Sequence, residues 1–180
     1  MILFIGEVKK ETGKRSHDNL HDVIEPFVQV DERIVFPRPA NLSVTLTNCG
    51  SEILVEGTLR VEAIISCSRC LEPFVYEIEG EICLELRNAD RLVRTSQIEA
   101  EAQEDSDIRY YHEDDNYVDI NREVRETAIL NLPMKPICRP SCRGLCTLCG
   151  EDLNRSKCGC RKTVIDSRLS KLQNWRQNEK

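Results

Sequence analysis

The chain has 180 residues at 20.7 kDa, 40% of them hydrophobic, which suffices for one domain, or one domain plus a small appended module, and excludes a multidomain machine. Charged residues make up 31% and aromatics 5%, so a thin core is expected, with stapled or solvated segments around it. The net charge of −6 is unevenly placed: residues 133–180 carry eleven Lys/Arg against four Asp/Glu, a formal +7, leaving −13 on the rest. A basic end of this kind points to an anionic partner, although metal-bound thiolates would take back part of its charge.

The apolar run Met1 to Ile5 is too short for the hydrophobic region of a signal peptide, and no run approaches the roughly 18 apolar residues of a membrane span. A cytoplasmic protein is expected, so the ten cysteines call for metal or redox chemistry rather than disulfides. Residues 1–40, with Pro26, Pro37 and Pro39, fit either an edge strand or an arm, and His17 and His21 read as solvated. Apolar and polar residues alternate from Leu42 to Leu46. After Asn48-Cys49-Gly50-Ser51 they alternate again through Ile53, Val55, Gly57, Leu59, Val61, Ala63 and Ile65, which predicts a hairpin. Beyond the turn at Cys67 to Pro73, the apolar residues Phe74, Tyr76, Ile78, Ile82, Leu84 and Leu86 share one face of a third strand. Val75, Glu77, Glu79, Glu81, Cys83 and Glu85 line its wet face.

Periodicity is lost over residues 88–118, and nine acidic residues stand against Arg109 alone between Glu99 and Asp119, so a flexible acidic insertion is expected there. Asp119 fits a helix cap ahead of Ile120, Val124, Ala128, Ile129, Leu130 and Leu132, with a stop at Pro133. A closing helix is expected from Asp166, with Leu169, Leu172 and Trp175 at steps of three. The expected architecture is α+β. A mainly antiparallel β domain (1–87) leads through the acidic insertion (88–118) and one helix (119–132) to a basic, cysteine-rich segment (133–180) ending in a short helix.

The cysteines fall into Cys67-x2-Cys70 and Cys138-x3-Cys142-x3-Cys146-x2-Cys149-x8-Cys158-x-Cys160. Zinc takes four soft ligands in a tetrahedron, and a C-x-x-C turn brings two sulfurs to one ion while its backbone N–H groups face them. The simplest partition makes Cys146, Cys149, Cys158 and Cys160 a local site and joins Cys67 and Cys70 to Cys138 and Cys142 in a long-range one. Two zinc ions are then expected per chain; the alternative is one ion in the C-terminal set, with Cys67 and Cys70 free. A redox role for Cys67-Ser68-Arg69-Cys70 is a further reading, weakened by the lack of a strand-then-helix setting. Cys49 and Cys83 read as ordinary thiols. No nucleophile, base and orienter pattern and no glycine-rich phosphate loop is present, so neither enzymatic chemistry nor a small-molecule substrate is expected. Lys135, Arg139, Arg143, Arg155, Lys157, Arg161 and Lys162 are candidate phosphate contacts, or else the solvating charges of a small cysteine-rich surface.

The motifs L-T-N-C-G-S-E-I-L-V-E-G-T at 46–58, C-S-R-C-L-E-P-F at 67–74, L-P-M-K-P-I-C at 132–138 and C-R-G-L-C-T-L-C-G-E-D-L-N at 142–154 resemble the YceD family, the large ribosomal RNA subunit accumulation proteins. C-x-C at 158 and D-S-R-L at 166 extend the likeness. Thr147 and Ser167 stand where proline is common in the family. The resemblance implies a bacterial cytoplasmic or plastid factor for large ribosomal subunit biogenesis, without enzymatic chemistry. Its partner would be ribosomal RNA, a large-subunit ribosomal protein or an assembly intermediate. A protein-interaction adaptor that holds a ribosomal protein through the acidic insertion is the alternative, and a thiol-based redox protein is the third reading.

Overall fold

The computed structural model describes residues 1–29, 32–91 and 107–160. The expected hairpin and third strand form the centre of a five-stranded sheet. β1 is Ile2–Phe4, β2 Arg15–Asp22, β3 Phe27–Gln29, β4 Glu32–Ile34, β5 Ala40–Asn48, β6 Glu52–Ser66, β7 Pro73–Asn88, β8 Ile108–Tyr111 and β9 Tyr117–Asp119. The sheet runs β2-β5-β6-β7-β8, antiparallel throughout except for the parallel β7/β8 pair, while β1/β9 and β3/β4 form two small antiparallel ribbons. The register Leu46↔Val55↔Leu84 and Leu42↔Leu59 puts the apolar residues on one face, where Leu42, Leu46, Val55, Leu59, Leu84 and Leu86 are buried.

One helix, α1 (Asn121–Leu130), covers that face beside the N-terminal residues, burying Val124 and Ala128 against a core that includes Leu3, Ile5 and Val8. It packs on β7 at Gly80, where a Cβ would lie 2.5 Å from Asn131 Nδ2 and 2.7 Å from Thr127 Cγ2, so a side chain there would force those two side chains to shift. Asp119 Oδ1 accepts the N–H of Asn121 at 2.9 Å, but the capping position itself is Ile120, one residue later than expected.

The expectation of a structureless insertion over 88–118 is corrected in part. Asn88 still belongs to β7, and residues 108–111 and 117–119 form strands β8 and β9. They hold because Ile108, Tyr111 and Val118 are buried, Arg109 pairs with Glu123 of α1, and Asp90 accepts both the Glu113 N–H (2.7 Å) and the His112 ring (2.9 Å). Residues 92–106 of that stretch lie outside the described residues, as do the expected closing helix at 166–175, Arg161 and Lys162. The question left open for residues 1–40 is answered by four strands, of which β2 is an edge of the main sheet. His17 and His21 lie exposed on β2, beside Thr45 and Asn41 of β5.

Candidate metal centres

The β6–β7 turn and the coil after α1 converge on the first cysteine set. Cys67 follows the last residue of β6, and its carbonyl accepts the Leu71 N–H at 2.9 Å, closing the Cys67-Ser68-Arg69-Cys70 knuckle. The coil docks through Ser68 N–H to Pro136 O, 2.8 Å, and Cys138 N–H to Cys67 Sγ, 3.4 Å. The four sulfurs of Cys67, Cys70, Cys138 and Cys142 lie within 4.8 Å of one another. The Cys67–Cys142 and Cys70–Cys138 separations are 3.9 and 3.8 Å. A disulfide needs about 2.05 Å between sulfurs, whereas a tetrahedron with Zn–S bonds of about 2.3 Å has edges of about 3.8 Å. The donor set therefore fits a tetrahedral thiophilic ion.

The second set repeats the device locally. Cys146, Cys149, Cys158 and Cys160 also place their sulfurs within 4.8 Å of one another, and the Gly150 N–H meets Cys146 O at 2.9 Å as Leu71 meets Cys67. The residue after the second cysteine takes a positive φ in both knuckles, 75° at Gly150 and 60° at Leu71. Glycine adopts this conformation freely, whereas a leucine pays about 1–2 kcal/mol for it. Cys49 and Cys83 belong to neither set.

The electrostatics of the packed thiols favour a cation among them. Burial pushes the Cys67 thiol up, but the N–H groups of Cys138, Cys70 and Arg69, with the Cys70 side chain, bring it down to about 6. Burial, then hydrogen bonds from Cys67, Cys142 and Cys70, push Cys138 up to about 12. In the second set the N–H groups of Leu148 and Cys149 lower Cys146 to about 6, while Cys149 and then burial push Cys160 up to about 12. Once the first sulfur of each set ionises, repulsion holds protons on the last; a divalent ion would remove that repulsion and could be held by all four thiolates.

The two sets are physically joined. The Arg69 carbonyl accepts the Leu145 N–H at 2.9 Å, and its guanidinium donates to Cys142 O at 2.9 Å. Gly144 (φ 73°) passes so close that a Cβ would lie 2.7 Å from Arg69 O. Asn154 donates from Nδ2 to Cys142 Sγ (3.5 Å) and accepts the Arg143 N–H on Oδ1 (2.8 Å), linking the second loop to the first site.

Every cysteine expected as a ligand thus falls into the set that its spacing suggested. The basic candidates divide. Lys135, Arg139, Arg143 and Lys157 are exposed, but Arg155 is engaged by Glu72 (2.8 Å) and Asp152 (3.5 Å) and acts as a strut between the two knuckles. The sequence reading missed Arg69 and Asn154 as supports; both lie inside the quoted cysteine motifs, which was the available signal.

These features define a β-sheet protein that carries paired four-cysteine sites at one end. The family model described as "Large ribosomal RNA subunit accumulation protein YceD" matches residues 55–175, and the chain belongs to that family. An uncharacterized protein of Mycobacterium tuberculosis is 30% identical over 156 residues, 85% of this chain and 71% of that protein. The large ribosomal RNA subunit accumulation protein YCED homolog 1, chloroplastic, of Zea mays is 26% identical over 75% of this chain, and that of Arabidopsis thaliana 24% over 77%. The alignments take in 53% and 49% of the two plant proteins. No solved structure matches.

Proposed function

We propose that the protein is a non-enzymatic cytoplasmic factor for large ribosomal subunit biogenesis, supporting accumulation of large-subunit ribosomal RNA through direct contact with RNA phosphates. The observation that carries this reading is the coupling of the two cysteine sets to the exposed cations Arg139, Arg143 and Lys157, which lie within or beside the metal loops. Zinc suits both sites, because four thiolates leave no open position for substrate and a closed tetrathiolate site is structural. Bound zinc would neutralise the packed thiolates and hold the basic loops at fixed spacing against the sheet.

Phosphate contact through these side chains makes binding salt-dependent, by about 0.9 in the log–log slope per phosphate neutralised on a duplex. Replacing Arg139, Arg143 and Lys157 together by glutamate should weaken association with large-subunit RNA at least tenfold and flatten its salt dependence. Association with unchanged salt dependence in a folded, metal-loaded variant contradicts RNA contact. Loss of association on replacing Glu113, Asp114 and Asp115 by their amides would support the adaptor reading instead.

A further inference from the structure

The two cysteine sets offer the same donors but differ in access. Cys67, Cys70 and Cys142 are 0%, 5% and 3% exposed, enclosed between the β6–β7 turn and the coil that carries Cys138 and Cys142. In the second set only Cys146 is buried; Cys149 is exposed, and Cys158 and Cys160 are half-buried. All four sulfurs of that set come from residues 146–160, and Cys158 and Cys160 lie on irregular backbone, so closing a bond between two of them displaces no strand. The sulfurs of Cys149, the exposed member, and Cys160 lie within 4.8 Å of each other.

We infer that the Cys146/Cys149/Cys158/Cys160 set is a thiol-oxidation site, at which a peroxide joins Cys149 to Cys160 while the first set stays reduced. The inference rests on the reading that both sets bind metal as thiolates. The Cys149 thiolate attacks one peroxide oxygen; the O–O bond breaks, leaving a sulfenic acid on Cys149 and releasing hydroxide. The Cys160 thiolate then attacks Cys149 Sγ, the S–S bond forms, the S–O bond breaks and a second hydroxide leaves. Two electrons pass from the two sulfurs to the two peroxide oxygens, and two protons from solvent turn the hydroxides into water. Cys146 and Cys158 remain, two donors where a tetrahedral ion requires four, and the site gives up its ion. In the first set only Cys138 is half-buried and the other three sulfurs belong to buried residues, so a sulfenic acid formed there has no exposed thiol beside it and the set lacks a counterpart of the exposed Cys149.

The consequence is local. Lys157 and the Arg155 strut lie in the loop between Cys149 and Cys158, so oxidation frees the basic loop of the second site and leaves the β6–β7 knuckle in place. Anion binding would fall while the sheet stays folded.

The test uses the full chain with its metal counted beforehand. Titration with hydrogen peroxide is followed by a colorimetric chelator for released metal and by peptide mass spectrometry after thiol alkylation. A Cys49→Ser/Cys83→Ser variant is run in parallel to remove the two exposed thiols outside both sets. The expected result in both proteins is release of one metal equivalent of two, a Cys149–Cys160 disulfide, alkylated Cys67, Cys70, Cys138 and Cys142, and recovery with dithiothreitol plus zinc. Release of both equivalents together, release from the first set first, a disulfide that omits Cys149, or no release at peroxide levels that oxidise free cysteine overturns the inference and leaves the metal reading standing. Protein isolated without metal overturns both.

Discussion

The first cysteine set is assembled from residues about seventy apart in the chain, the second from within fifteen consecutive ones, so loss of the first would release distant segments and loss of the second only its own loop. The first set ties the turn of the β6–β7 hairpin to the coil after α1, so its ion would secure contacts between segments distant in the chain. The second set organises its own loop and touches the body mainly through Arg69, Gly144 and Asn154. The difference teaches that identical donor sets can be built to join distant segments in one place and to organise a single loop in the other.

The largest expected effect comes from removing the first set. Structural zinc contributes on the order of 10 kcal/mol of apparent folding free energy in small metal domains, comparable to the whole stability of an ordinary domain. Cys67→Ser/Cys70→Ser should therefore abolish a cooperative thermal transition read by near-ultraviolet circular dichroism. Cys146→Ser/Cys149→Ser should keep that transition and lower its midpoint by only a few degrees; equal losses in the two variants would break the comparison. Next in size is the joint between the sites. Gly144→Ala places a methyl against Arg69 O and imposes a left-handed alanine, which should cost about 2–3 kcal/mol in denaturant unfolding. Asn154→Ala removes a hydrogen bond donated to Cys142 Sγ and one accepted from the Arg143 N–H, and should cost about 1–2 kcal/mol, with chelators stripping the first site faster. Smallest is the contrast between the knuckles: Gly150→Ala should destabilise by about 1 kcal/mol, whereas Leu71→Gly should be neutral or slightly stabilising. Leu71 is 65% exposed, so little packing is lost there.

Much of this architecture was legible in the sequence because strict alternation fixes register. The Leu42 to Leu46, Ile53 to Ile65 and Phe74 to Leu86 runs appear as β5, β6 and β7 with the expected faces inward. Cysteine spacing was equally informative, since two C-x-x-C turns each need two further sulfurs. What the sequence hid were features set by single contacts. β8 and β9 are too short to show a period and lie in an acidic stretch, and they are fixed by the burial of Ile108, Tyr111 and Val118 and by the Arg109–Glu123 pair. The left-handed Leu71 carries no compositional mark, and Arg155, which reads as a phosphate contact, is spent on Glu72. Likeness to a family adds the ribosomal connection but says nothing of which cations remain free.

The most direct test of the paired-site account is the count of metal ions per chain by native mass spectrometry. It would be made on protein purified without chelator, for the wild type and for Cys67→Ser/Cys70→Ser. The account predicts two zinc ions in the wild type and one in the variant, retained by the second set. Two ions in both proteins, one in both, or an iron centre would contradict it.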